Sequence, residues 1–152
     1  MKYEFKEISL DNYELHYIDK NGEEKIIPFK RTVEIAQKLQ SADADARFEM
    51  LEYLQSKGKT KEDFIIEKHE NGKIIRDESN YREFEASFLE NKRMELLMEL
   101  YEILFKKNVA DLFLDMNVSE KDSDKVQDFS LELREILING KTKTPSIQKG
   151  DK

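Results

Sequence analysis

The sequence predicts an α+β chain, predominantly helical. An N-terminal antiparallel β-hairpin or meander is followed by a helical bundle built on one long helix, with a disordered C-terminal tail. Three observations carry that expectation. Between Asn80 and Lys107 the apolar residues Met94, Leu97, Met98, Tyr101, Leu104 and Phe105 recur at three- and four-residue steps, the spacing of one helical face. Tyr13, Leu15 and Tyr17 alternate with polar neighbours and lead into Asn21-Gly22, a turn signal. Residues 141–152, KTKTPSIQKGDK, show no apolar period.

Taken in order, the expected layout is one domain over 1–140. It has a β-hairpin region at 1–31, short helices at 32–58, a second hairpin at 60–76 and a helical part at 77–139, with the tail at 141–152. In the first region Tyr3, Phe5 and Ile8 suit a strand before the Tyr13–Tyr17 run, and Lys25-Ile-Ile-Pro-Phe29 returns after the turn. Pro28 lacks a ladder donor, which places its strand at an edge or at its end. Thr32 suits the cap of a short helix, Val33–Gln40. Ser41-Ala-Asp-Ala-Asp45 is expected to break it and to cap a second helix, Ala46–Lys57, ended by Gly58. Thr60 with Asp63 resembles a capping box that uses Asp in place of Glu.

Phe64–Arg76 reads as a hairpin around Asn71-Gly72, in which Glu70 faces Lys73 and Glu67 faces Arg76. Asp77, Ser79 and Asn80 are candidate N-caps for the long helix. Phe84 and Phe88 extend its apolar stripe, and Leu89, Leu96, Leu100 and Ile103 widen it. So broad a surface must be covered on several sides, either by the rest of the chain or in part by a partner. In the second case Met94 and Met98 supply adaptable contacts. The candidate partner-binding residues are therefore Phe84, Phe88, Met94, Leu97, Met98 and Tyr101. A short helix at Val109–Met116, a polar link and a last helix at Asp124–Ile138 complete the layout, with Asn139-Gly140 as the stop.

Composition narrows the function. The 152 residues are 38% hydrophobic and 39% charged, long enough for a core and polar outside it. Net charge is −7; the residues after Gly140 hold four lysines against one aspartate, so residues 1–140 carry −10. A body of that charge repels phosphate backbones, which argues against nucleic acid as the main partner. The absence of cysteine excludes disulfides and thiolate chemistry. The first residues, MKYEFKEISL, lack the apolar core of a signal peptide, and no apolar run reaches membrane-spanning length, so the cytoplasm is the expected location.

No chemical motif rises above its ordinary structural use. Asp43-x-Asp45 and Asp122-x-Asp124 begin like calcium loops but lack the central Gly and the closing Glu, and suit helix caps better. Asp111 and Asp115 lie one turn apart, as carboxylates on solvated helix faces often do. His16 and His69, the two histidines, fall on expected strands with no His or Cys ligand nearby. Lys30-Arg31 and Lys106-Lys107 are isolated basic pairs. The expectation is a non-enzymatic protein with no catalytic, cofactor-binding or metal residues.

One combination is familiar. An N-terminal hairpin, the basic turn Phe29-Lys-Arg31, short helices and the step Thr60-Lys-Glu-Asp-Phe64 precede longer acidic helices and a Lys-rich end. Over residues 12–66 this resembles the tail assembly chaperones of long-tailed bacteriophages, the group that includes the lambda-type G protein. The hairpin around Asn71-Gly72 departs from that pattern. The resemblance implies a non-structural helper, acting in the host cytoplasm, that binds tape-measure and tail-tube proteins, with homo-oligomerisation left open. It also implies a translational frameshift near Gln148-Lys-Gly150 that appends a second domain. The alternatives are a structural tail or neck adaptor of the virion and a small acidic protein-binding regulator.

Overall fold

The alternation at Tyr13, Leu15 and Tyr17 becomes the central strand of a three-stranded antiparallel sheet in the computed structural model, which describes residues 1–140. The tail expected at 141–152 lies outside the described residues. Strands β1 (Tyr3–Ser9), β2 (Asn12–Ile18) and β3 (Glu24–Lys30) pair in that order, with Phe5 opposite Leu15 and Tyr13 opposite Phe29. Because side chains alternate with period two, Phe5, Tyr13, Leu15, Tyr17 and Phe29 all bury on one face. Gly22, at φ 81°, provides the positive-φ position of the β2–β3 turn. The buried Asp19 carboxylate accepts from the backbone N–H groups of Asn21 and Glu23 and closes that turn.

Pro28 fits its strand for a reason of register. The backbone N–H of Asp19 donates to the Glu23 carbonyl, and that of Arg31 to the Asp11 carbonyl, so the odd-numbered residues of β2 and β3 form the hydrogen-bonded pairs. Pro28 lies opposite Glu14 in a non-bonded pair, and its donorless nitrogen faces the free edge of the sheet.

Two short helices are expected between Thr32 and Gly58, but the chain forms one, α1 (Val33–Ser56). Ser41–Asp45 is therefore helix interior, and Asp43 and Asp45 are not caps. The segment contains neither Gly nor Pro, two of its residues are alanine, and its polar side chains have helix-compatible partners. Ser41 Oγ donates to Asp45 Oδ2 one turn on, at 2.8 Å, and Asp43 takes both arms of the Arg93 guanidinium at 3.0 Å. Thr32 Oγ1 caps the start by accepting from the Ile35 N–H, and Gly58, at φ 67°, follows the end.

The second hairpin forms in the expected register. Strands β4 (Ile66–Glu70) and β5 (Lys73–Asp77) pair Glu70 with Lys73 and Glu67 with Arg76. Asn71 and Gly72, both at positive φ, make the primed turn. Arg76 forms its ion pair with Glu62, at 2.8 Å, and not with the facing Glu67. The hairpin is a separate two-stranded sheet, exposed along nearly its whole length.

The long helix, α2, spans Ser79–Phe105. Asp77 anchors its start by accepting from the Ser79 N–H at 2.9 Å, with Lys68 3.1 Å away. The Ser79 hydrogen bonds, then Lys68, hold the Asp77 carboxyl down at about 2 against an ordinary 3.8. A depressed folded-state value stabilises the fold above the unfolded-state value, and that contribution is lost as pH falls through about 2. Side-chain NMR titration should place the Asp77 midpoint well below those of free aspartates, and a midpoint near 3.8 would show that the cap is not formed.

The described chain divides into two compact units, one of Met1–Gln40 with Leu97 onward, the other Ser41–Leu96, so the division falls inside α1 and α2. In the first unit, α3 (Val109–Asp115) is capped by Asn108, and α4 (Ser123–Asn139) follows a 3-10 turn at Glu120–Asp122. The sheet face meets α2 through Phe29 and Phe105, at 5.3 Å, and α4 through Phe5 and Phe129, at 5.0 Å, and Leu100, Tyr101, Leu104, Leu112, Leu133, Ile136 and Leu137 are buried in the same unit. Arg31 ties sheet to helix. Its guanidinium donates to the Leu137 carbonyl at 3.1 Å, the Ile138 carbonyl at 2.8 Å and Asp11 at 3.2 Å, satisfying the C-terminal end of α4. Arg31→Ala should cost about 2 kcal/mol in urea denaturation, with Arg31→Lys recovering only part because the planar fork is lost.

Candidate functional site

Within Ser41–Leu96, three aromatic residues of α2 stand at three- and four-residue spacing, Tyr81, Phe84 and Phe88, and so share a face. Two rings from elsewhere join them. The Thr60 N–H donates to Asp63 Oδ2 at 2.7 Å and sets a 3-10 turn, Lys61–Phe64, whose last residue stacks on Phe84 at 5.0 Å and meets Tyr81 edge-on at 5.9 Å. Tyr53 of α1 lies 6.3 Å from Phe84 and 5.9 Å from Phe88. The result is a continuous ladder, Tyr81–Phe64–Phe84–Tyr53–Phe88, whose rings all keep part of their surface in solvent. Aromatic pairs at these separations add about 0.5–1.5 kcal/mol each beyond area burial, and of the five rings only Tyr53 is exposed, at 45%.

Three of the five rings carry a lysine ammonium. Lys61 lies over Tyr81 at 5.3 Å, Lys92 over Phe88 at 5.7 Å and Lys57 over Tyr53 at 5.8 Å. Tyr53 and Phe88 also floor an open groove of about 570 Å³ between α1 and α2, rimmed by Glu49, Glu52 and Glu95. Lys92 bridges the rim, 3.3 Å from Glu95 and 3.4 Å from Glu49, and both carboxylates raise its affinity for the proton. Among the described residues Glu52 has no ion-pair partner. The groove offers ring faces and negative charge, the chemistry of binding a cationic or amphipathic surface.

The candidate residues on α2 separate into three groups. Phe84 and Phe88 belong to the ladder. Met94 and Met98 are exposed, at 46% and 52%, and Leu97 is half-buried. Tyr101 is a correction: it is 0% exposed, packed against Phe105, Phe113 and Phe129, and cannot touch a partner. The sheet, α3 and α4 supply apolar side chains around the C-terminal end of α2, so its stripe becomes core there. Tyr53 and Phe64 are not among the sequence candidates because they reach the site from other segments, and Tyr81 is not among them although it lies one turn before Phe84 on the same helix.

The remaining chemical candidates have structural partners. Tyr17 donates to Asp115, which Lys107 also approaches at 3.5 Å; burial, then the Asp115 carboxylate, raise the Tyr17 hydroxyl above its ordinary value, and Asp115 is lowered by the same bond. Asp111 instead pairs with Asn108, so the two aspartates do not converge. Asp122 accepts from the Ser119 N–H as a cap. His16 lies between Glu14, at 2.8 Å, and Glu24, at 3.5 Å, on the outer face of the sheet. A second cleft, of about 450 Å³ and lined by Tyr13, Pro28, Phe29, Ile35 and Leu104, has Lys30, Lys106 and Glu14 as its charged residues. Among the described residues no cluster of three metal-ligating side chains forms, and no helix is long and apolar enough to cross a membrane. No family model, curated protein or solved structure matches the chain.

Proposed function

We propose that this is a non-catalytic protein-binding helper of the phage tail assembly chaperone kind, holding tape-measure and tail-tube proteins in the host cytoplasm during tail assembly. The observation that carries the proposal is the exposed aromatic ladder. Five rings, four half-buried and Tyr53 exposed, meet at a surface where further burial would stabilise them, which is the state expected of a surface awaiting a partner. Exposed Phe48, Leu51, Met94 and Met98 add apolar area, while the −10 charge of residues 1–140 keeps such a surface soluble.

The test first looks for tail-tube and tape-measure genes beside the gene for this chain, then coexpresses the full chain with the tape-measure protein. The two should copurify, and mass spectrometry of purified virions should find tape-measure protein without this chain. Its presence in virions at stoichiometric level would make it an adaptor. Failure to copurify with either tail protein would remove the phage assignment.

A further inference from the structure

The lysines over the ladder rings reveal what the groove is built to hold. A ring face attracts an ammonium through its quadrupole, and Phe88 holds that of Lys92 while Glu49 and Glu95 balance the charge. The rim is nonetheless over-supplied with negative charge, since three carboxylates line it against Lys92, with Lys57 over the Tyr53 ring, and Glu52 has no ion-pair partner among the described residues. An acidic partner would meet like charge there, and a purely apolar one would leave the carboxylates desolvated.

We propose that this groove binds an amphipathic helix bearing lysine or arginine on another protein. Cationic side chains of that helix displace Lys92 from Phe88 and pair with Glu49, Glu52 and Glu95, while its apolar side chains lie on Tyr53 and Phe84. Lys92 stands in on Phe88, Glu49 and Glu95 until the partner arrives, and Glu52 is left for the partner alone. The proposal rests on the reading of the chain as a protein binder and names the class of partner.

It is tested on the full chain with model helices of about eighteen residues, long enough for five turns. One is built from leucine and lysine, one has glutamine in place of each lysine, and one has glutamate. Calorimetry should show the lysine helix binding about tenfold more tightly than the glutamine helix, with the glutamate helix not binding. NMR shifts should centre on Tyr53, Phe84 and Phe88. Lys92→Met removes the competing ammonium and should tighten lysine-helix binding about threefold, while Glu52→Gln should weaken it about threefold. Both positions are at the surface, and unchanged melting temperatures would confirm that the variants fold.

Equal binding of the lysine and glutamine helices would overturn the cationic preference and leave the protein-binding reading standing, as copurification with a tail protein tests that separately. Shifts centred away from the ladder, no binding at all, or weaker binding by Lys92→Met would each overturn the inference.

Discussion

Phe129→Ala is expected to remove about 3–5 kcal/mol of stability, the range for emptying a large aromatic site in a packed core. Phe129 is 0% exposed and lies where three elements meet. Its ring is 5.0 Å from Tyr3 and from Phe5 of β1, 5.9 Å from Tyr101 of α2 and 5.9 Å from Phe113 of α3. No single neighbour can swing in to fill the space, because each is held by another ring: Phe5 by Phe29 at 5.9 Å, Tyr101 by Phe105 at 5.5 Å. Domains of this size have about 5–15 kcal/mol in total, so the variant should sit near the edge of folding at room temperature. Urea denaturation measures it. A loss below about 1 kcal/mol would mean that the aromatic cluster is not the core of this unit.

Ala44→Pro is the second large effect, about 3 kcal/mol or more, with a visible drop in helix signal by circular dichroism. Ala44 is near the middle of the 24-residue α1 and exposed. Proline there removes a backbone donor and clashes with the carbonyl four residues back. If Ser41–Asp45 were a capped break between two helices, proline would be tolerated with little loss. Ala44→Gly separates the two causes, because it keeps the donor and should cost only about 1 kcal/mol.

That pair of variants also marks the limit of what one sequence shows. Asn21-Gly22, Asn71-Gly72 and Pro28 act within their own hairpins, so both turn positions and the register of the second hairpin were legible, and Pro28 limited its strand to an edge or an end. The span of α2 was legible as well, within two residues at either end, because nothing interrupts its apolar spacing. Ser41–Asp45 was not, since Ser and Asp are equally the residues of a cap and of a helix whose polar side chains find partners. Asp43 finds its partner in Arg93, fifty residues away, and no local pattern announces that pair. The same distance hid part of the candidate surface. Spacing alone placed Phe84 and Phe88 on one face, but Tyr53 and Phe64 reach them through tertiary packing, and Tyr101 left the stripe for the core.

Surface chemistry follows from that packing. The aromatic ladder, with lysines over three of its rings and glutamates beside Phe88, is the surface on which the proposed function rests. The most direct measurement is aromatic-side-chain NMR of the full chain titrated with the proposed partner, a tape-measure protein. Resonances of Tyr53, Phe64, Tyr81, Phe84 and Phe88 should move together, while those of Tyr101 and Phe129 stay in place. Binding that moves other residues and leaves the five rings unperturbed would contradict the account.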